Sequence, residues 1–223
     1  MKRIIFLASG NGGTLKFLKN AIESLNLPWT IVVVVSDRNC NAIKYADSVK
    51  IKSFVFENWN QCIGEVNDCI SSFDVDIIIT NIHKILFKST LECCSSKYVN
   101  LHYSLLPAFG GVIGFKTLDL ARKNNTKIIG ATVHLVDENL DGGKILCQGA
   151  FAVDWDMDAI EHIGDKVFRT GCLSLFNAIH ILLYFDKDEI VKYNHYDILF
   201  SPPLTYRAEQ FDDSFWSLIK NFD

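Results

Sequence analysis

The segment RIIFLASGNGGTLKFL, residues 3–18, contains three patterns that together indicate the class of fold. The apolar run at residues 3–8 predicts a buried strand, because strands covered on both faces are continuously hydrophobic. The glycines after it predict a tight turn, and Leu15, Leu18 and Ile22 then recur at helical spacing. A strand, a turn and a helix in this order predict the first unit of a doubly wound α/β fold.

The same alternation continues along the chain. Further strands are predicted at residues 30–37, 53–56, 75–80 and 97–102, and helices between them at residues 42–51 and 59–73. Strands that alternate with helices are joined by right-handed crossovers. The sequence therefore predicts a mostly parallel, Rossmann-like sheet with helices on both faces.

After Gly114 the pattern changes. A helix at residues 115–125 precedes two strands, residues 127–136 and 144–153, and a long helix over residues 157–185 that Gly164 or Gly171 could interrupt. The remaining segment is aromatic, with a short helix at residues 213–221. We therefore expect a domain over residues 1–190, and a tail, residues 191–223, packed on it or at the contact of a homodimer.

Composition excludes several classes of function. Lysine and arginine number 22 against 26 acids, a net charge of −4, which does not favour a nucleic-acid partner. No stretch approaches the ~20 apolar residues of a membrane span. The seven cysteines are odd in number and form no CxxC pair, so we expect reduced, mostly buried thiols in a cytoplasmic protein.

The glycine loop SGNGGT, residues 9–14, exposes backbone N–H groups beside a predicted helix start, an arrangement that suits an anion. It lacks the third glycine of the dinucleotide fingerprint, because position 15 is Leu15. It also lacks the GK[ST] of a phosphate-binding P-loop. A phosphate site and a plain tight turn both remain open.

The segment NLHYSLLPAFGG, residues 100–111, places two polar residues at the end of a predicted strand. Asn100 and His102 are two residues apart and share one face of that strand. Open α/β sheets bind ligands at the carboxyl ends of their strands. Further on, DENLDGG contains Asp141 in a short connection, where acidic residues are usually solvated.

Taken together, NLHYSLLPAF, GATVHLV and NLDGG, in this order, resemble the folate-dependent formyltransferase family. The opening FLASGNGGTL is similar to that family's phosphate-binding start. The likeness covers residues 2 to about 155 and is greatest to the glycinamide ribonucleotide formyltransferases. It implies the formyltransferase fold and 10-formyltetrahydrofolate as co-substrate, without a metal.

The resemblance also implies roles for individual positions. The implied catalytic residues are Asn100, His102 and Asp141. The implied folate-binding residues are Lys84, Ile85, Leu86, Val136, Asp137, Glu138 and Leu140. The implied acceptor-binding residues are Gly10, Asn11, Gly12, Gly13 and Thr14.

The chemistry of formyl transfer agrees with these residue types. Attack of an amine on a formyl group passes through a tetrahedral oxyanion, which an asparagine amide or an imidazolium can stabilise as a donor. The amine loses a proton and the folate nitrogen gains one. A histidine that titrates near neutrality and is oriented by a carboxylate suits both transfers.

Departures from the family pattern concern the acceptor. Tyr103 stands where proline is usual, residues 112–115 are apolar, and Gly171 and Cys172 fall where a Glu-His pair is expected. We therefore predict an N-formyltransferase that acts on the amine of a small phosphorylated or nucleotide-linked sugar substrate, such as an amino sugar. The alternative is a glycinamide ribonucleotide formyltransferase of purine biosynthesis. A formyltetrahydrofolate hydrolase, whose relatives carry an extra N-terminal domain, and a nucleotide-binding module are less favoured.

Overall fold

Residues 1–184 and 197–220 are described by the structure, a computed structural model. The chain divides into two units. Unit 1 comprises Met1–Asn100 and Phe211–Asp223, and unit 2 comprises Leu101–Gln210.

Strands and helices occur in the predicted alternating order. The strands are β1 Lys2–Ala8, β2 Trp29–Ser36, β3 Lys52–Val55, β4 Ile77–Asn81, β5 Lys97–His102, β6 Ile128–Leu135, β7 Ile145–Ala152 and β8 Leu199–Ser201. The helices are α1 Gly13–Ser24, α2 Asn41–Ser48, α3 Ile63–Ser71, α4 Lys88–Leu91, α5 Lys116–Lys123, α6 Ile160–Tyr184 and α7 Asp213–Lys220. A short 3-10 helix, Ala208–Gln210, precedes α7.

Unit 1 is built on parallel strands in the order β3-β2-β1-β4-β5. In the central strand Ile4 pairs with Ile31 of β2 and with Ile77 of β4. Residues 4–7 of β1 are completely buried, as the uniformly apolar run predicts. This order places the carboxyl ends of β1, β2 and β4 side by side, where Ser9, Asp37 and Asn81 lie.

Unit 2 contains the antiparallel strands β6-β7-β8, in which Val133 pairs with Cys147 and Gly149 with Phe200. The β2-β3, β1-β2, β1-β4 and β4-β5 pairings are parallel, so the prediction of an α/β fold with mostly parallel strands is confirmed. Helix α6 runs without a break through Gly164 and Gly171, so the expected interruption was wrong. The last residue of the predicted helix, Phe185, lies outside the described residues.

Helix α6 is, by length and composition, the one helix among the described residues that is apolar enough to cross a membrane. Its most apolar window has a mean hydropathy of 1.3, but 61% of that window is buried inside the structure. Core helices of this kind are buried by packing against neighbouring elements.

The aromatic tail is described in part, and Tyr193 and Tyr196 lie outside the described residues. In unit 1 the rings of Phe211, Phe215 and Trp216 surround Phe17 of α1 at centroid distances of 5.4, 5.8 and 5.3 Å. In unit 2 the hydroxyl of Tyr206 donates to the carbonyl of Leu173 at 2.8 Å. These tail residues are therefore core residues of their units.

The seven cysteines are free thiols, but the expectation that most are buried was wrong. Cys147 and Cys172 are buried, whereas the other five are only half-buried. Two of the half-buried ones, Cys93 and Cys94, flank the phenol of Tyr98, with sulfur–oxygen distances of 3.5 and 3.7 Å.

Candidate active site

Asn100 is fixed by the neighbouring strand β4. Its amide nitrogen donates to the carbonyl of Thr80 at 2.5 Å and to the Thr80 hydroxyl at 3.1 Å. That hydroxyl in turn donates to the carbonyl of Val99 at 3.2 Å. Thr80 therefore sets the orientation of the Asn100 amide, a contact that the sequence pattern did not indicate.

His102 follows two residues later on β5, so its side chain leaves the strand on the same side as that of Asn100. Only 6% of His102 is exposed. Its Nε2 lies 3.0 Å from the carbonyl of Phe109, and its Nδ1 lies 3.3 Å from Oδ2 of Asp141. Both ring nitrogens thus face acceptors, and both can donate only when the ring carries two protons.

The protonation of His102 reflects opposing influences. Burial lowers its pKa, whereas the Asp141 carboxylate and the Phe109 carbonyl raise it, and the net pKa lies below the ordinary histidine value. The carboxylate by itself therefore favours the protonated ring, and burial outweighs it in the net pKa.

Asp141 has an unusual backbone and three polar neighbours. Its φ of 52° lies in the left-handed region, which a non-glycine residue seldom adopts. The carboxylate accepts from the Gly111 amide at 2.7 Å and lies beside His102 and, at 3.6 Å, His134. The adjacent His134 imidazole lowers the pKa of Asp141 most, and although burial raises it, the Gly111 amide and both imidazoles keep it below its usual value. Asp141 is therefore held as a carboxylate.

His134 is the functional candidate that sequence reasoning missed. It lies on β6, is 2% exposed, and its Nδ1 donates to the carbonyl of Leu135 at 2.8 Å. That contact turns Nε2 toward Asp141. The available signal was its place near the end of a strand, inside GATVHLV, on the approach to the connection that contains Asp141.

The SLLP segment is held by one hydroxyl. Thr132 of β6 donates to the Ser104 carbonyl at 2.7 Å and accepts from the Leu106 amide at 3.0 Å and from Gln148 Nε2 at 3.0 Å. Ser104 itself donates to the carbonyl of Ala108. These bonds fix the loop from which the Phe109 carbonyl reaches His102.

The predicted acceptor-binding loop lies in unit 1, between β1 and α1. Gly12 has a φ of 75°, and a Cβ added there would lie 2.9 Å from the Cα of Ala42. The Ala42 amide donates to the carbonyl of Gly10 at 3.1 Å. Glycine is therefore needed at position 12, both for its conformation and for close packing on the first turn of α2.

The predicted folate-binding residues occur as two segments, one in each unit. In unit 1, Ile85 is 67% exposed and Leu86 is buried, while the Lys84 amine lies 3.8 Å from the carboxylate of Asp37. In unit 2, Leu140 is 59% exposed, and the side chain of Asp137 accepts from the Asn139 amide at 2.8 Å. Each segment thus presents an apolar side chain to solvent.

Two of the departures in the acceptor region fit each other. A Cβ at Gly171 would lie 2.8 Å from Cε1 of Tyr103, so the glycine makes room for the tyrosine ring. The same ring stacks on Phe115 at a centroid distance of 4.7 Å and an interplanar angle of 19°. Tyr103 therefore belongs to a packed unit that also requires glycine on α6.

The model of the formyl transferase family matches residues 2–179 of the chain. The phosphoribosylglycinamide formyltransferase of Bacillus subtilis is 28% identical over 176 residues, which cover 76% of this chain and 88% of that protein. The enzyme of that name from Mycobacterium tuberculosis is 31% identical over 189 residues, covering 81% and 84%.

A solved structure leads to the same group. The crystal structure of phosphoribosylglycinamide formyltransferase from Anaplasma phagocytophilum superimposes with a TM-score of 0.68 at 28% identity, covering 76% of this chain and 80% of that one. The range matched by the family model contains Asn100, His102 and Asp141. The chain therefore belongs to the formyl transferase family of enzymes.

Proposed function

We propose that the protein transfers the formyl group of 10-formyltetrahydrofolate to the amine of phosphoribosylglycinamide. The observation that carries the proposal is the contact between Nδ1 of His102 and Oδ2 of Asp141 at 3.3 Å. The acceptor is supported by the names of the relatives in Bacillus subtilis and Mycobacterium tuberculosis. The amino-sugar acceptor that the sequence first suggested has no support among them.

His102 is proposed to move the proton. Substrate replaces the Phe109 carbonyl at Nε2, while Nδ1 donates to Asp141. In that tautomer Nε2 carries a lone pair that can accept the proton of the attacking amine. A lowered pKa keeps the ring neutral at physiological pH before the reaction, as a base requires. The imidazolium that forms is stabilised by Asp141 and then donates a proton to the leaving nitrogen.

Asn100 is proposed to assist at the oxyanion. Thr80 orients the amide, and the N–H that reaches the Thr80 hydroxyl, the longer of the two contacts, turns to the tetrahedral oxygen when that oxygen forms. The imidazolium of His102 is the second donor on the same strand face. The predictions for the folate segments and for Gly10–Gly13 are part of the proposal, and the exposed Ile85 and Leu140 support the folate assignment in each unit.

An amino-sugar nucleotide is a second candidate acceptor, because one observation favours it. The stacked pair of Tyr103 and Phe115 follows directly on the segment that carries His102, and Phe115 is 42% exposed. An exposed aromatic ring suits a sugar or base face better than it suits a phosphate. This feature belongs to the chain itself, whereas the first candidate rests on the relatives.

The deciding experiment incubates the protein with 10-formyltetrahydrofolate and one acceptor at a time, and follows the deformylated folate by absorbance. The acceptors are phosphoribosylglycinamide, an amino-sugar nucleotide, and buffer alone. Turnover that requires phosphoribosylglycinamide supports the proposal. Turnover only with the sugar nucleotide moves the function to the second candidate, and equal turnover in buffer identifies a hydrolase.

A further inference from the structure

A second buried carboxylate, Asp37, lies in unit 1 at the end of β2, and the proposed chemistry does not use it. Its side chain is completely buried. Removing a charge from water is costly unless other groups pair with it, so the neighbours of this carboxylate have to compensate its charge.

Two cations share this single carboxylate. The Arg38 guanidinium donates through Nε to Oδ1 at 3.1 Å and through Nη2 to Oδ2 at 2.7 Å. The Lys84 amine lies 3.8 Å from Oδ2. Two positive charges against one negative charge leave the cluster with an excess of one positive charge.

The cationic groups also reach solvent. The side chain of Arg38 is 51% exposed and that of Lys84 is 31% exposed, although their partner is fully buried. A guanidinium has five N–H donors, and Asp37 takes two of them on one edge of the plane. The remaining donors point away from the carboxylate, as they would toward an incoming anion.

Ser9 connects this cluster to the glycine loop. Its hydroxyl donates to Oδ1 of Asp37 at 2.6 Å and accepts from the His83 amide at 2.8 Å. Ser9 immediately precedes Gly10, so the cluster lies at the start of the predicted acceptor-binding loop. Asp37 thereby joins three chain segments that follow β1, β2 and β4.

We propose that Arg38 and Lys84 bind the phosphate of the acceptor together with the loop Gly10–Gly13, and that Asp37 is the positioning residue that aims both cations. This rests on the proposed function for the identity of the acceptor. It assigns the Lys84 side chain to the phosphate, although the resemblance placed Lys84 with folate. Guanidinium and ammonium groups are the usual side-chain partners of phosphate in proteins.

The test uses Arg38→Met and Lys84→Met, with Lys44→Met on the exposed side of α2 as the matched control. Inorganic phosphate is titrated into each protein by calorimetry, and KM is measured separately for phosphoribosylglycinamide and for 10-formyltetrahydrofolate. A hydrogen bond to a charged group is worth enough that each of the two variants should bind phosphate about tenfold more weakly or worse. The acceptor KM should rise by a similar factor, with the folate KM and the control unchanged.

Two further variants separate the orientation of the two cations from their charge. Arg38→Lys keeps the charge but loses the planar fork, and should fall between the wild type and Arg38→Met. Asp37→Asn leaves both cations in place, and should raise the acceptor KM while kcat changes less. Thermal unfolding of every variant confirms that it is folded.

Unchanged phosphate binding in both methionine variants would overturn the inference, as would a rise in the folate KM alone. The phosphate titration needs no turnover. If the protein fails to use phosphoribosylglycinamide but its phosphate affinity depends on Arg38 and Lys84, the proposed function fails and the anion site stands.

Discussion

Two carboxylates, one in each unit, are satisfied in different ways. Asp37 is buried directly after β2, and Asp141 is half-buried in the connection between β6 and β7. Asp37 pairs with the guanidinium of Arg38 and the amine of Lys84, and accepts from the hydroxyl of Ser9. Asp141 lies beside two imidazoles and accepts from a backbone amide. A carboxylate paired with a guanidinium and an amine serves to orient those two groups. A carboxylate held by histidines can follow a proton as it arrives and leaves.

The largest effect should come from the imidazole itself. His102→Ala removes the proposed base and an oxyanion donor, and such losses typically lower kcat by at least about a hundredfold. Steady-state kinetics with both substrates measures it, and the folate KM should stay nearly constant. His162→Ala, on the exposed side of α6, is the matched control. Near-normal kcat in His102→Ala would reduce NLHYSLLP to a structural loop.

Removing the charge of Asp141 should be almost as damaging. Asp141→Asn is expected to lower kcat by about a hundredfold, because the neutral amide no longer stabilises the imidazolium. The double variant with His102→Ala should be no slower than His102→Ala alone, since the two residues act as one unit. Additive losses would mean that Asp141 acts independently of the imidazole.

The pH dependence of kcat/KM tests whether Asp141 is coupled to a group that takes up a proton. His102 must be neutral to accept a proton, so kcat/KM should rise with pH through its pKa, which lies below the ordinary histidine value. The Asp141 carboxylate raises that pKa. In Asp141→Asn the acid limb of the residual activity should therefore move to lower pH. A limb that stays in place or moves upward would contradict the assignment of this titration to His102.

Much of this site could be predicted from sequence because its geometry is local or patterned. Asn100 and His102 share a strand face by spacing alone, and the glycines at residues 10–13 indicate their turn directly. Asp141 lies 39 residues after His102 (141 − 102) and was found only through the resemblance. The 3.3 Å contact depends on the fold of unit 2, which no local pattern specifies.

The remaining features lacked a local signal for physical reasons. His134 looks like an ordinary residue of an apolar strand, and its role depends on a carboxylate brought to it by the chain. Helix α4 and strand β8 have four and three residues, which is too short to show periodicity. The net pKa of His102 depends on burial, and the partner of Lys84 lies 47 residues before it (84 − 37), on another strand end.

Asp37 should contribute to the free energy of unfolding as well as to acceptor binding. Burial raises the pKa of Asp37, but hydrogen bonds from Arg38 and Ser9 and the charges of Arg38 and Lys84 outweigh it, so the pKa lies below its usual value. Such a carboxylate stabilises the fold above its unfolded-state pKa, and this stabilisation is lost as pH falls through the folded value.

Asp37→Asn should therefore lower the free energy of unfolding at pH 7 by about 1.5–3 kcal/mol, the range for hydrogen bonds to charged groups. Urea denaturation at pH 7 and at about pH 3, below the ordinary aspartate pKa, measures the difference from wild type. That difference should shrink at the lower pH. Asp68→Asn, an exposed aspartate on α3, is the control, and an equal loss in both variants would contradict the assignment.

The smallest expected effect concerns the packing of Tyr103 against α6, next to His102 in the sequence. Alanine in a helix interior is normally more favourable than glycine by about 0.5–1 kcal/mol, so Gly171→Ala on an open helix face would stabilise the protein. Here the new Cβ would lie 2.8 Å from Cε1 of Tyr103 and 3.2 Å from Leu101, so the ring has to move. We expect the stability gain from alanine to be cancelled or reversed.

In a Tyr103→Ala background the ring is absent, and Gly171→Ala should then destabilise the protein less or become stabilising. Urea unfolding of the two single variants and the double variant gives the coupling energy, which should be about 0.5 kcal/mol or more for side chains in contact. A coupling energy near zero would show that Tyr103 moves away from α6 at no cost, and would contradict the conclusion that Tyr103 and Gly171 require each other.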